Sequence, residues 1–166
     1  LTANTLYHYR VKSKDGSLNL ATYADFTFTT SASTPQTITF NDLTSPGTTL
    51  NGQYPTGVVS WGTNVWFLSG PWGAFTTSSI SYNGASSTGE SFSFISPSIL
   101  TSLQAYNGGT TASTITLSCS GNITKTQSVG VNTLATIATG WTNPCTQVTI
   151  GSTNGWWTNF DDIIYQ

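Results

Sequence analysis

The feature that most constrains this chain is the period of its apolar residues, which alternate one by one almost everywhere and keep helical spacing nowhere for long. A period of two sends successive side chains to opposite faces of a strand, whereas a helix needs repeats near 3.6. The expected fold class is therefore all-β. Candidate strands run Leu6 to Ser13, Tyr23 to Thr30, Thr37 to Asn41, Gly57 to Trp61, Asn64 to Leu68, Ser78 to Tyr82 and Ser91 to Ile95. They continue from Leu100 to Tyr106, Ser113 to Cys119, Thr126 to Val131, Leu134 to Thr139, Thr146 to Gly151 and Asn159 to Tyr165. Turn clusters such as Ser45-Pro46-Gly47, Asn83-Gly84, Asn107-Gly108-Gly109 and Asn154-Gly155 separate them and supply the positive φ angles of tight reversals. Short strands at this spacing indicate a two-sheet antiparallel β-sandwich.

Composition divides the chain in two. The first thirty residues hold three of its four basic residues, Arg10, Lys12 and Lys14, together with its only histidine, His8. The run from Leu1 to Asp15, a turn around Gly16, and the run Ala24-Asp-Phe-Thr-Phe-Thr-Thr resemble the last two strands of a fibronectin type III domain. That resemblance covers about a third of such a domain and puts Tyr7 at the tyrosine-corner position. The expected organisation is a fibronectin-like hairpin over residues 1–30, a linker over 31–36 and a β-sandwich over 37–166. A lone hairpin is marginal in water, and here Tyr7, Tyr9, Val11, Phe26 and Phe28 form an apolar face without cover. The expectation is a hairpin that is either mobile or packed on a neighbouring surface, such as a second copy.

Residues 37–166 contain no Arg, no His, one lysine (Lys125) and four carboxylates (Asp42, Glu90, Asp161, Asp162), yet hold all six tryptophans. Hydrolysis of a glycosidic bond needs two carboxyl groups about 5–9.5 Å apart. Asp161 and Asp162 are neighbours in an expected strand and so point to opposite faces, and no histidine is present to activate a serine or cysteine. The expectation is a domain without catalysis. One lysine against four acids also excludes phosphate neutralisation, so nucleic acid is not an expected partner.

Charged residues make up 6% of the chain and the net charge is −2, so solubility rests on hydroxyls and amides. Such surfaces are familiar from secreted proteins that work on insoluble polymers. Cys119 and Cys145 are the only cysteines; a disulfide is expected, with two buried free thiols as the alternative. The closed loop would contribute on the order of 3 kcal/mol if unstrained. The chain opens in mid-pattern at Leu1 and has neither a signal peptide nor a membrane-length apolar run, so a part of a larger secreted protein, not associated with a membrane, is expected.

A pyranose offers an apolar C–H face and a rim of hydroxyls, which a flat aromatic ring and surrounding amides can match. Trp61, Trp66, Trp72 and Phe75 fall within one short segment, and Trp156 and Trp157 are consecutive, so that in extended backbone they face opposite sides. Any single tryptophan is as readily core as surface. Alternation sends one of Trp66 and Phe67 inward without saying which. Trp61 and Trp72 flank glycines in expected turns, where large rings often face solvent. The candidate sugar-contacting residues are Trp61, Trp66, Trp72, Tyr106, Trp156, Trp157 and Asn159, with Asn64 and Asn107 among the nearby polar loop residues.

The closing run Asn159-Phe-Asp-Asp-Ile-Ile and the opening run Ile38-Thr-Phe-Asn-Asp-Leu resemble the last and first strands of jelly-roll carbohydrate-binding modules of secreted glycoside hydrolases. The resemblance implies a jelly roll that binds a polysaccharide or oligosaccharide beside the catalytic domain of a parent enzyme. It also implies Asn159 as a ligand contact and a structural Ca2+ held by Asp161 with Asn41 or Asp42, a hard cation that takes six to eight oxygens. The competing reading is a structural or adhesive β-sandwich of a cell surface or extracellular filament, in which the tryptophans are core or interface.

Overall fold

The computed structural model describes residues 1, 4–31 and 33–166. Thr2 and Ala3 of the expected hairpin and Ala32 of the expected linker lie outside the described residues. Two compact units are present, Leu1–Thr34 and Pro35–Gln166.

In the first unit β1 (Leu6–Tyr9) pairs with β4 (Phe26–Thr29), and β2 (Lys12–Lys14) pairs with β3 (Leu20–Thr22), both antiparallel. The strand expected from Leu6 to Ser13 is thus broken at Arg10 and Val11, and β3 adds a short strand that alternation did not mark. Directly opposed residues stack across the hairpin: Tyr7 on Phe28 at 5.6 Å and Tyr9 on Phe26 at 5.5 Å. Tyr9, Val11, Phe26 and Phe28 are all exposed. Cross-strand aromatic pairs contribute roughly 0.2–1 kcal/mol each, which supports the register of this ribbon without giving it a core.

The second unit has twelve strands. They are β5 (Gln36–Ile38), β6 (Thr48–Leu50), β7 (Val59–Ser60), β8 (Trp66–Ser69), β9 (Ser79–Tyr82) and β10 (Gly89–Ser98). After these come β11 (Leu100–Asn107), β12 (Ser113–Cys119), β13 (Lys125–Val129), β14 (Thr133–Ala138), β15 (Cys145–Ser152) and β16 (Thr158–Tyr165). One sheet has the order β13-β12-β15-β10-β7, and the other β14-β11-β16-β9-β8-β6, with β5 also on β16. Every pairing is antiparallel. The last strand is interior: β11 lies on one edge of it, and β9 and β5 share the other.

Where glycine or asparagine takes a positive φ, strands are shorter than alternation suggests. Asn64 (φ 60°) delays β8 to Trp66, and Gly57 (φ 78°) delays β7 to Val59. Asp162 (φ 46°) puts an irregularity into β16, so Asp161 and Asp162 do not simply alternate across the sheet. The three-residue β6 (Thr48–Leu50) lies outside the expected strands.

Inward residues of the first sheet (Phe92, Phe94, Ile115, Leu117, Val148, Ile150) meet those of the second (Trp66, Leu68, Ile80, Tyr82, Leu103, Phe160) in one buried cluster, as in a β-sandwich. Trp66 rather than Phe67 points inward, and it is wholly buried. Its indole N–H donates to the Ser91 carbonyl in the facing sheet at 3.0 Å. The Tyr82 hydroxyl likewise crosses the core to the Ile150 carbonyl, also at 3.0 Å.

Trp61 corrects a second expectation. The glycine beside it does make a turn (Gly62, φ 75°), but the ring folds under that turn and is wholly buried against Trp66 and Phe92, its N–H donating to the Tyr54 carbonyl. Cys119 and Cys145 form a disulfide joining the end of β12 to the start of β15, with Cα atoms 6.3 Å apart. Trp141 is buried near that end and donates to the Ile123 carbonyl at 2.7 Å.

The tryptophans therefore differ in what they hold up. Trp61→Ala is expected to destabilise the second unit by about 3–5 kcal/mol through the cavity it leaves. Trp156→Ala, at a position 46% exposed, is expected to stay within about 0.5 kcal/mol of the parent. Urea unfolding of the two variants measures both.

Candidate functional site

The four loops that meet at one end of the sandwich are built on Asn107, the last residue of β11. Its side chain is fully buried, and its amide N–H groups donate to the carbonyls of Thr111 (2.8 Å), Val129 (3.1 Å) and Gly130 (3.1 Å). Its oxygen accepts from the Gly109 N–H and from Asn154 Nδ2. A buried amide with every group paired fixes all the segments it touches. Asn154 also donates to the Thr111 carbonyl, and beneath it lies a hydroxyl chain of Ser113, Ser152 and Thr158 with links of 2.8 and 2.6 Å.

On this base sits the 3-10 turn Gly155–Trp157, which presents Trp156 (46% exposed) and Trp157 (51% exposed). The Gly108 N–H donates to the Trp157 carbonyl at 2.9 Å, binding the two loops together. The β8–β9 loop approaches with a turn in which Trp72 and Phe75 exchange backbone hydrogen bonds of 3.0 and 3.1 Å. Gly73 (φ 61°) is its first central residue, a place where a two-residue reversal favours glycine. The half-buried Trp72 ring packs edge-on against Tyr106 (5.3 Å, 83°) and lies 6.4 Å from Trp157 at 35°. Phe75 closes on the other side of Tyr106 at 6.4 Å. The fit is tight: a Cβ added at Gly108 would fall 2.2 Å from Trp72, and one added at Gly73 would fall 1.9 Å from Tyr106.

Four of the expected residues, Trp72, Tyr106, Trp156 and Trp157, thus converge. Tyr106 is a buried support whose hydroxyl donates to Asn132 Oδ1 at 3.3 Å. Trp61 and Trp66 are core and have no face to offer a ligand. Asn159 is buried as well and its amide donates to Ser79 Oγ at 2.8 Å, so it is a structural contact at this end. Asn64 serves a turn with Asn51 and Asn83 instead. The supporting residues Asn132, Asn154, Gly73 and Gly108 were not singled out as contacts. The turn clusters Asn107-Gly108-Gly109 and Asn154-Gly155 mark their neighbourhood, but not the packing of rings on it.

A hollow of about 700 Å3 lies elsewhere, at the disulfide end among Pro97, Ser118, Cys145 and Gln147. β15 runs from that end (Cys145) to the ring-bearing end (Ser152), roughly 24 Å at ~3.4 Å per residue. The hollow carries no aromatic ring or charge, and the ring cluster offers the more specific recognition chemistry. The outward row of that sheet is similar: Ser60, Ser93 and Gln147, with Ser91 beside Thr149.

A second polar centre surrounds Asp161 on β16. Asp161 is 3% exposed and its Oδ1 has no hydrogen-bond partner. The Tyr54 hydroxyl has one proton for two acceptors, the Thr39 carbonyl at 2.7 Å and the Asp42 carboxylate. Both Asp42 and Asp161 act electrostatically on Tyr54, whose pKa is raised by burial first and by these acids next. The donors here are oxygens only, and they carry an unmatched carboxylate oxygen, which fits a hard cation. Among the described residues no group of three or more His, Cys, Asp or Glu is placed to hold a metal ion, so a hard cation here would rest on two carboxylates with hydroxyl, carbonyl and water oxygens. Asn41, expected as an alternative ligand, is exposed.

Comparison with known proteins finds no matching family model, no matching curated protein and no matching solved structure.

Burial raises the pKa of Asp161 from its ordinary 3.8 to about 6, with the Asp162 backbone N–H pulling the other way and the Asp162 charge adding a little. The folded state then holds this proton more tightly than the unfolded chain, so its contribution to stability falls as pH rises from about 4 to about 6. Thermal melts of chelator-treated protein across that window are expected to show this fall, and Asp161→Asn is expected to flatten it.

Proposed function

We propose that the second unit is a non-catalytic carbohydrate-binding module whose ring-bearing end contacts the sugar. The observation that carries this reading is the exposure of Trp156 and Trp157 beside Trp72, on a rigid base, with no charged side chain among the residues that build the site. Exposed indoles at a folded surface are costly unless they meet a ligand, and they suit the apolar face of a pyranose. The strand orders β9-β16-β11-β14 and β10-β15-β12-β13 support the jelly-roll reading, since each sheet joins strands from two nested hairpins. The sparse carboxylates and single lysine of this unit support a targeting role rather than chemistry, alongside a catalytic domain of the same secreted parent. The disulfide is compatible with an extracellular setting. The first unit, read as the last hairpin of a fibronectin type III domain, would be a spacer element.

Affinity electrophoresis against β-glucan, xyloglucan, xylan, mannan and galactan tests the reading. Retardation by at least one polymer is expected, and Trp156→Ala or Trp157→Ala should weaken it about tenfold, the equivalent of ~1.4 kcal/mol. No retardation on any polymer would favour a structural or adhesive sandwich instead.

A structural Ca2+ at Asp161 and Asp42 belongs to the same reading. Its support is the unpartnered Asp161 oxygen beside an oxygen-rich corner between β5 and β16. Calcium is expected to raise the melting temperature of the chelator-treated protein at pH 7, and Asp161→Asn is expected to remove that increase. An unchanged melting temperature in the parent protein would remove the ion from the proposal.

A further inference from the structure

The geometry points to a short stretch of a single, solvated, neutral glycan chain as the ligand of the ring-bearing end, in preference to the flat face of a crystalline polysaccharide. This rests on the sugar-binding reading above and narrows it to a substrate class. Stacking needs the C–H face of a sugar parallel to the indole. A flat crystal face can be parallel to several rings at once only if the rings share a plane. Here Trp157 is inclined 35° to Trp72 and 73° to Trp156, with centroids 6.4 and 5.7 Å apart. No plane matches all three. A chain free in solution can turn from one unit to the next and meet rings at different angles.

The backbone beneath the rings is fixed, and Trp72 is fixed with it. The Trp157 backbone is held by Gly108, and Asn154, which precedes the turn, is held by Asn107. The Trp72 ring lies so close to Gly108 that a Cβ there would stand 2.2 Å from it, so it is seated against backbone. Bringing Trp72 into one plane with its neighbours would require breaking its seat on Gly108, and Trp156 and Trp157 stand on a backbone that those bonds fix. The outward row of the β10 and β15 pair offers no strip either, since it is Ser91, Ser93, Gln147 and Thr149, without a ring.

Neutrality follows from the same residues. Trp72, Trp156 and Trp157 are supported by Tyr106, Phe75, Gly108, Asn132 and Asn154, which supply amides, a hydroxyl and backbone groups but no cation for a uronate or sulfate and no carboxylate for an amino sugar. Desolvating an ionised sugar against such a surface would leave its charge uncompensated.

The test uses the whole 166-residue chain. Titration with neutral cello-, xylo-, manno- and laminari-oligosaccharides is followed by tryptophan fluorescence and calorimetry. In parallel, protein depletion is measured on microcrystalline cellulose and crystalline chitin, and on polygalacturonate as the charged arm. Saturable binding of at least one neutral oligosaccharide is expected, weakened about tenfold in Trp157→Ala. Depletion by the crystalline polymers should not exceed that of the Trp156→Ala/Trp157→Ala double variant. Gly108→Ala, which disturbs the seat of Trp72 without removing a ring, should also weaken oligosaccharide binding while near-ultraviolet dichroism stays otherwise native. Retention on a crystalline polymer that soluble oligosaccharide of the same linkage cannot compete away overturns the inference and leaves sugar binding standing. So does binding confined to polygalacturonate. Binding to no arm overturns both.

Discussion

Two polar ring tips crossing an apolar core hold this sandwich in register. Trp66 and Tyr82 stand on neighbouring strands of one sheet, and each donates to a backbone carbonyl of the other, Ser91 and Ile150 respectively. Each ring brings a large apolar area into the core, and each would carry an unpaired donor there without its carbonyl. The two bonds therefore set which part of one sheet faces which part of the other. Trp61 and Phe160 pack against Trp66, so segments that flank the site loops are positioned by the same cluster.

From that core the site is reached through β16. The strand closing the chain is gripped on both edges, and its first residue follows directly on Trp157. The inward Phe160 anchors it, the buried Asn159 ties it to Ser79, and Asn107 on the adjacent strand clamps the loops beyond its end. Rigid strands thus carry the rings almost to their tips. A surface so placed would need little ordering on binding the proposed ligand, which would limit the entropic cost of association. The other end of the sandwich, in the facing sheet, follows the same logic with a covalent bond, where Cys119–Cys145 joins β12 to β15.

The all-β class and most strands were legible because alternation is a local signal, visible along Leu100 to Tyr106 or Ser113 to Cys119 without knowledge of partners. Strand ends were less so, since a positive φ at Asn64 or Asp162 is a backbone choice that an asparagine or aspartate permits but does not announce. The site was half legible. Two consecutive tryptophans after an Asn-Gly turn can be read as a surface feature, and they are one. Trp61 beside Gly62 carries much the same local pattern and is core, because burial there depends on Tyr54, Phe40 and Phe92 arriving from elsewhere in the chain. Asn107 looks like an ordinary turn former. Its partners at Val129, Gly130 and Asn154 are brought to it only by the fold.

The hydroxyl-covered row of Ser91, Ser93, Gln147 and Thr149, and the uncharged ring cluster beyond it, give dissolved salt little to act on. Complexes held by exposed ion pairs loosen as ionic strength rises, because screening shortens the reach of each charge to about 8 Å at physiological salt and less in brine. A contact made of indole faces and amides has no such dependence, and salts that strengthen apolar association would tighten it. On the proposed reading, attachment through Trp156 and Trp157 would therefore hold in fresh water and in brine alike.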